Sequence, residues 1–74
     1  MQKKVKIHTE YIKLGQLLKM VGEIDNGAEA KSFLEEVDVF INEEHDQRRG
    51  RKIYPGYKVT VKGTEYIIES ELDA

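Results

Sequence analysis

The segment Leu14-Gly15-Gln16-Leu17-Leu18-Lys19-Met20-Val21-Gly22 decides how this chain is expected to fold. Its apolar residues recur at i, i+3, i+4 and i+7, the spacing that places side chains on one face of a helix. They are Leu14, Leu17, Leu18 and Val21. The spacing predicts an amphipathic helix over 13–21. Gly22 is suited to end this helix, because glycine readily adopts the left-handed backbone of a helix C-terminus.

A second short helix is predicted to begin near Gly27, after a turn over 23–27. Asn26 and Glu29 have the spacing of a capping box, in which Asn26 would be the N-cap and Glu29 the N3 residue. The residues expected on the buried face of this helix are Ala30, Phe33, Leu34 and Val37. The two helices would form a helix-turn-helix-like pair.

The other apolar residues follow the period of two that is typical of half-buried strands. The predicted strands are 5–7, 37–41, 57–61 and 64–69. Tyr54-Pro55-Gly56-Tyr57 has the composition of a type II turn, and Lys62-Gly63 that of a hairpin turn. This order of elements predicts an α+β fold, with two short helices packed on a small, mainly antiparallel β-sheet.

The length of 74 residues suits one domain, because a chain this short cannot bury two separate cores. We expect a single domain over 1–74, with a core of about 5–69 and a frayed tail over 70–74. The chain has no cysteine, no apolar run that could cross a membrane and no signal-like apolar segment after its first lysines. These features predict a cytoplasmic protein.

Positive charge is concentrated in one part of a chain whose formal net charge is −2. The stretch 47–62 contains six Lys or Arg residues and no acid, whereas 23–46 contains nine acids and one lysine. Charges act together only within about a Debye length, ~8 Å at physiological salt, so a local cluster can attract a polyanion. The stretch Asp46-Gln47-Arg48-Arg49-Gly50-Arg51-Lys52 is therefore the expected centre of a binding surface. A solvated charged loop is the alternative.

Four short segments occur in a recognisable order along the chain: Lys13-Leu14, Ala30-Lys31, Val39-Phe40-Ile41-Asn42 and Pro55-Gly56. Over about 12–61 they resemble the RNA-binding domain named after small-subunit ribosomal protein four, the S-four domain. The stretches 14–19, 41–42 and 48–52, and Gly27 with Ala30-Lys31, are more closely similar to its stand-alone bacterial YaaA/YbcJ-like branch. The resemblance implies an α+β fold and binding to structured RNA, either ribosomal or transfer RNA.

The chain departs from the general S-four pattern at several of the family's polar positions. Lys13 replaces an arginine, Gly15 an aspartate, and Gly27 stands where the second helix would carry an arginine. Glu43 replaces a glycine and Tyr57 an aspartate. Because the helices carry less positive charge than the family pattern, we expect phosphate contacts to shift toward the loop over 48–52.

The residues expected to bind RNA are Lys13, Gln16, Lys19, Lys31, Asn42, Arg48, Arg49, Arg51 and Lys52. The three arginines are predicted phosphate clamps, because a guanidinium can hold a phosphate through two hydrogen bonds. For Gln16 and Asn42 a purely structural role is the alternative. Tyr54 beside the loop is a candidate for stacking on an unpaired base, although such tyrosines more often belong to a core.

No residues in the sequence have the pattern of an enzyme or of a metal site. His8 and His45 have no partner at metal-ligand spacing, and His45-Asp46 is expected at the surface. The chain also has no glycine-rich phosphate loop and no nucleophile motif. We therefore predict a non-enzymatic protein with no catalytic residues, no metal and no cofactor.

A monomeric RNA-binding protein, acting on ribosomal or transfer RNA and associated with the ribosome or translation, is the leading hypothesis. The alternative is a protein-protein adaptor that uses the charged loop and the acidic second helix. A DNA-binding helix-turn-helix is weaker, because Glu29, Glu35 and Glu36 on the second helix would be repelled from a major groove.

Overall fold

Two helices pack on one face of a five-stranded sheet in the computed structural model, which describes residues 1–71. The elements in chain order are β1 (Gln2–Ile7), β2 (Ile12–Lys13), α1 (Leu14–Met20), a 3-10 turn (Gly27–Glu29), α2 (Ala30–Glu36), β3 (Val39–Ile41), β4 (Glu44–His45), β5 (Lys52–Ile53), β6 (Lys58–Val61) and β7 (Thr64–Ser70). The predicted α+β class is confirmed. No helix in the described part of the chain is long and apolar enough to span a membrane.

Helix α1 forms where the leucine spacing predicts it, and it ends as expected at Gly22. Its buried residues are Leu14, Leu17 and Leu18. Gly22 has a φ of +83°. The Gly22 N–H donates to the Lys19 carbonyl, and the Glu23 N–H donates to the Leu18 carbonyl. These two bonds are the Schellman motif, which satisfies carbonyls that a helix end would otherwise leave without donors.

The second helix begins later than predicted, because 27–29 forms a 3-10 turn before α2. The side chain of Asn26 caps this turn by accepting a hydrogen bond from the Ala28 N–H at 3.0 Å. The predicted capping box is wrong in its second half, because the Glu29 carboxylate accepts from the Asp25 N–H at 2.8 Å. Glu29 therefore satisfies the N–H of the residue before the cap rather than that of Asn26.

The core lies between the helices and the inner face of the sheet, where alternate strand residues point inward. Its fully buried members from the helices are Leu14, Leu17, Leu18, Ala30 and Leu34. The strands contribute Ile7, Val39, Ile41, Val59, Val61, Tyr66 and Ile68. The residues between them along each strand form the outer face, which is mostly polar and partly exposed but also carries Phe40 and the half-buried Ile67.

The strand order of the main sheet is β1-β7-β6-β3-β4. Its neighbours are antiparallel except β1 and β7, which run parallel from the pair Gln2 and Glu65 to the pair Ile7 and Ser70. Strands β2 and β5 form a separate two-stranded sheet. The parallel pair joins the two ends of the described chain, a contact that no local pattern indicates.

Three turns connect successive strands of the chain. Tyr54 to Tyr57 forms the predicted type II turn, in which Gly56 has a φ of +94° and the Tyr57 N–H donates to the Tyr54 carbonyl. Lys62 and Gly63 connect β6 to β7, and both have positive φ, as the two-residue hairpin turn requires. Asn42 and Glu43 form a similar turn between β3 and β4, with φ values of +50° and +73°.

Two parts of the chain that were expected to be irregular are partly ordered by pairing. The stretch 43–52, for which the sequence predicts no helix or strand, contains β4 and the first residue of β5, and its Asp46 is buried. The expected frayed tail is wrong at Ser70, which is the last residue of β7, and the Glu71 N–H donates to the Ile7 carbonyl. The ordering of Lys52 and of Ser70 arises from pairing with distant strands, whereas β4 pairs with the adjacent β3 across a two-residue turn. The rest of that tail, 72–74, lies outside the described residues.

Candidate nucleic-acid interface

The basic loop, defined as 46–52, is attached to the first turn of α1 through its backbone. The Leu14 N–H donates to the Arg51 carbonyl at 2.8 Å, and the Gly15 N–H donates to the Arg49 carbonyl at 2.9 Å. These are N–H groups that have no partner within a helix. The loop also closes a turn of its own, from the Arg51 N–H to the Arg48 carbonyl. Its arginines therefore project from a fixed backbone beside α1.

A buried carboxylate lies beneath this loop. Asp46 is 7% exposed, and its Oδ1 accepts from the backbone N–H of Arg48 at 2.8 Å and from Arg48 Nε at 3.1 Å. Its Oδ2 accepts from Arg48 Nη2 and from Arg51 Nη1, both at 2.8 Å. The expected surface position of Asp46 is wrong, because two arginines and a backbone N–H replace the water that its charge would otherwise need.

The same contacts keep the Asp46 carboxylate ionised. The side-chain hydrogen bonds from Arg48 hold the pKa of Asp46 well below its usual value, and the Arg48 N–H and Arg51 act in the same direction. Burial alone would raise the pKa, but its effect is smaller than that of the hydrogen bonds. Asp46 in turn raises the pKa of Arg48. The cluster is therefore charged at neutral pH.

A groove lies between the start of α1, the 3-10 turn and the basic loop, and we call it the cationic groove. Its lining residues are Lys13, Gly15, Gln16, Gly27, Ala30, Arg49 and Gly50, around a volume of about 280 Å³. A methyl group on Gly15 would lie 3.4 Å from the Arg49 carbonyl oxygen and 3.5 Å from the Ala30 Cβ. A side chain at this position would therefore touch both the loop and the second helix and would occupy part of the groove.

Two of the predicted site residues, Lys13 and Gln16, line this groove, and the side chain of Gln16 also caps helix α1. Gln16 Oε1 accepts from the Lys13 N–H at 2.9 Å, which is the capping-box contact of α1. The structural role considered for Gln16 is thus present, and Gln16 also lines the groove. Lys13 is exposed at the groove edge.

Lys13 and Lys52 face each other across the small β2–β5 sheet, as directly paired residues of antiparallel strands. Like charges in that relation repel one another, which costs stability unless an anion lies between them. The ammonium of Lys52 lies 5.0 Å from the ring centroid of Tyr11, within cation-π range. This contact places the Lys52 charge beside the aromatic residues described next.

Three tyrosines form a continuous row next to Lys52. The ring centroids of Tyr11 and Tyr54 are 5.5 Å apart, and those of Tyr54 and Tyr57 are 5.7 Å apart. Tyr54 is the most exposed of the row at 39%, whereas Tyr11 and Tyr57 are half-buried. The neighbours on either side hold the Tyr54 ring in place, while part of it remains open to solvent.

The remaining predicted residues lie farther along the same helices or elsewhere. Lys19 is exposed in the last turn of α1, three residues after Gln16 and so on the same side of the helix. Lys31 is exposed in the first turn of α2, four residues after Gly27. Neither lysine lines the cationic groove. They could extend its positive surface along the two helices.

Asn42 is not brought to the groove. Its Oδ1 accepts from the Lys58 N–H at 2.9 Å, and its own N–H donates to the Lys58 carbonyl at 2.8 Å. It follows the last residue of β3, whereas the Asp46 N–H bonds to Val39, the first residue of that strand. Asn42 and the basic loop therefore lie at opposite ends of β3, and the side chain of Asn42 stabilises a turn.

The cations around the groove differ in their ion pairing from Lys4 and Lys58, which pair with carboxylates on the outer face of the sheet. Within residues 1–71, no carboxylate lies within ion-pair distance of Lys13, Arg49 or Lys52. The charge of Arg49 is thus available to an external anion, while Arg48 and Arg51 share Asp46.

The sequence matches the model of the S4 domain over residues 5–69. This chain belongs to the S4 domain family. It is also 49% identical, over 59 residues, to a protein of Bacillus subtilis (strain 168) described as "Probable ribosome maturation protein RlbA". That alignment covers 80% of this chain and 83% of the relative. No solved structure gives a significant match. The predicted membership in the S-four family is therefore confirmed.

Several features of this S4 domain's candidate site were missed by sequence reasoning. Asp46 was placed at the surface, although its spacing of two residues before Arg48 is that of an Asx turn and could have indicated the local bond. Tyr11 contacts Tyr54 and Lys52 because strands β2 and β5 pair beside it, and no local sequence pattern predicts that pairing. Gly15, noted only as a departure from the family pattern, lines the cationic groove.

The described part of this S4 domain contains no cluster of three or more His, Asp or Glu side chains that could hold a metal ion. His45 Nε2 instead lies 3.3 Å from Asp38 Oδ1, and His8 Nδ1 lies 2.9 Å from Glu71 Oε2. The chemistry of the candidate site is accordingly that of hydrogen-bond donors, positive charges and aromatic rings.

Proposed function

We propose that this chain is a non-enzymatic RNA-binding protein that recognises structured RNA mainly through backbone phosphates. The observation that carries the proposal is the charge arrangement at the cationic groove. Lys13 and Arg49 line it with no carboxylate partner in 1–71, and the nearest acid of the loop, Asp46, is buried beneath. Such an arrangement favours an external polyanion, while the exposed acids elsewhere limit where that polyanion can lie.

In this proposal the groove and the loop hold successive phosphates. Arg49 can donate two parallel hydrogen bonds to one phosphate from the groove wall, and Lys13 contributes a point charge opposite it. Lys52, paired across the strands with Lys13, would hold the next phosphate and relieve the repulsion between the two lysines. Arg48, with 73% of its side chain exposed, would donate from the outer side of the loop.

The helix lysines Lys19 and Lys31 would extend this contact along an RNA helix or a folded junction. Tyr54 would stack on an unpaired base beside the phosphates, because its ring is partly exposed and held by Tyr11 and Tyr57. Gln16 and Asn42 are assigned to the framework of the site, since their side-chain oxygens accept backbone hydrogen bonds. Arg51 has a similar supporting role through Asp46.

Ribosomal RNA is the proposed target, because the Bacillus relative is described as a probable ribosome maturation protein. Transfer RNA is the second candidate. A monomeric state and a cytoplasmic location remain predictions of the sequence, and neither enters the binding argument.

The test is binding of the purified protein to a structured ribosomal RNA fragment and to duplex DNA of equal charge, across a salt series. Six phosphate-contacting cations predict a slope of log affinity against log salt of roughly −4 to −5. They are Lys13, Lys19, Lys31, Arg48, Arg49 and Lys52. We expect a steep slope with preference for the RNA. If neither nucleic acid binds at physiological salt, the proposal is wrong, and the protein-protein adaptor becomes the better hypothesis.

A further inference from the structure

We propose that Asp46 is a positioning residue, which holds the basic loop and the Arg48 guanidinium in the geometry that binds phosphate. This inference deepens the proposed function and rests on it, because it assigns a role to an acid inside a site for a polyanion.

Asp46 fixes one edge of the Arg48 side chain. Nε and Nη2 of Arg48 donate to the two oxygens of Asp46, and the Arg48 backbone N–H donates to the first of them. A guanidinium is planar and has donors on more than one edge, so an arginine held along one edge presents the other in a fixed direction. With 73% of the side chain exposed, that remaining edge can meet a phosphate.

Asp46 also connects the loop to the rest of the fold. Its backbone N–H donates to the Val39 carbonyl of β3, and its side chain accepts from Arg51 Nη1. The carbonyls of Arg49 and Arg51 accept from the first N–H groups of α1. The carboxylate therefore lies at the centre of a connection from β3 through the loop to α1. The wall of the cationic groove that Arg49 forms depends on this connection.

The charge of Asp46 makes this role testable by the direction of an effect. A carboxylate near a phosphate site repels RNA, so an account based on charge alone predicts that removing it strengthens binding. The positioning account predicts the opposite, because the freed arginines would lose their orientation and the loop its attachment. The two accounts therefore predict opposite signs for the same substitution.

The experiment compares Asp46→Asn with Glu44→Gln, each bound to the structured ribosomal RNA fragment at several salt concentrations. Glu44 is an exposed acid two residues before Asp46, so the second variant removes the same charge without the buried contacts. We expect Asp46→Asn to weaken binding by about tenfold, the effect of one lost charge-assisted contact, and Glu44→Gln to bind as tightly as wild type or slightly more tightly. Equal or tighter binding by a folded Asp46→Asn variant would overturn the inference.

Two further measurements keep the inference testable if RNA binding or folding of the variant fails. In the free Asp46→Asn protein, the amide hydrogens of Leu14 and Gly15 should exchange faster than in wild type, because their acceptors belong to the loop. Unchanged exchange at both amides contradicts the inference, whether or not any RNA binds, whereas absence of wild-type binding contradicts the proposed function alone. In wild-type protein, the Arg48 Nε–H resonance should stay protected from solvent when RNA is added. Loss of this protection on binding would show that Arg48 leaves Asp46, which would contradict the inference.

Discussion

The outer face of the sheet and the cationic groove both carry lysines, but these lysines have different neighbours. On the outer face, Lys4 Nζ lies 3.7 Å from Oε2 of Glu69. Lys58 Nζ lies 3.5 Å from Oε2 of Glu43 and also 3.5 Å from Oε2 of Glu65. Each of these two lysines lies near a carboxylate on a neighbouring strand or turn. At the groove, Lys13 instead faces Lys52.

The acids of the two regions differ in the same way. Glu65 and Glu69 on the outer face are partly exposed and neutralise cations at the surface. Asp46 lies below the basic loop and binds its arginines from the inside. The acid of the basic loop is buried, whereas the acids of the outer face pair with lysines at the surface, so the cations of the groove are available to an external anion.

The largest expected effect tests the comparison directly. Lys13→Ala combined with Arg49→Ala should weaken binding to the RNA fragment by about 100-fold, at roughly 1.5 kcal/mol for each lost charge-assisted contact. The matched control, Lys4→Ala with Lys58→Ala, removes the same formal charge from the outer face and should change affinity by less than about threefold. Filter binding or fluorescence anisotropy at one salt concentration measures both. Similar losses in the two double variants would contradict the distinction between the surfaces.

The next effect concerns the aromatic residue beside the groove. Tyr54→Ala should weaken binding to an RNA with unpaired bases by about tenfold, within the range of ~1–3 kcal/mol for a stacked base, and should leave binding to a fully paired RNA unchanged. Phe40→Ala is the control, because Phe40 is as exposed as Tyr54, at 38% against 39%, but lies on the outer face. Equal losses on paired and unpaired RNA would remove Tyr54 from base recognition.

A smaller effect comes from the shape of the groove without any change of charge. Gly15→Ala adds a methyl group that contacts the Arg49 carbonyl and Ala30, so the groove becomes narrower. We expect RNA affinity to fall about threefold to tenfold while stability stays the same or rises, because alanine favours a helix by up to ~1 kcal/mol over glycine. Thermal unfolding and the same binding assay measure the two quantities. Unchanged affinity would show that the groove floor is not part of the interface.

The smallest predicted effect is the pH dependence of stability that Asp46 contributes. The pKa of Asp46 is lowered in the folded protein from its usual 3.8. The contribution of Asp46 to the free energy of unfolding is therefore complete above about pH 3.8, and it is lost as the pH falls from there toward the folded-state pKa. Wild type should therefore lose more stability than Asp46→Asn between neutral pH and about pH 3. Urea unfolding of both proteins at several pH values measures the difference. Parallel pH profiles would contradict an ionised, paired Asp46.

Sequence patterns predicted the elements whose cause is local. The leucine spacing identified α1, Gly22 its end, and the Pro55-Gly56 pair the turn before β6, because each depends on neighbouring residues. The parallel pairing of β1 with β7 was missed, since it joins residues more than sixty positions apart. The mainly antiparallel sheet was still predicted correctly, because its other pairs follow hairpin turns or alternating strands.

The candidate site was predicted in composition but not in arrangement. The cluster of Arg48, Arg49 and Arg51 is visible in the sequence, yet the three arginines differ in the structure. Two of them are held by Asp46, and Arg49 lines the groove. That division depends on the burial of one carboxylate, which follows from how β3, α1 and the loop meet. No pattern of charges along the chain contains that information.

The most direct test of the account is to map the RNA-binding surface by NMR, following backbone amides during titration with the structured ribosomal RNA fragment. The account predicts the largest changes at Gly15, Gly27 and Gly50 around the cationic groove, and small changes at Lys4 and Thr60 on the outer face. Changes concentrated on the outer face, with the groove amides unaffected, would contradict the claim that the surface with unpaired cations binds the RNA.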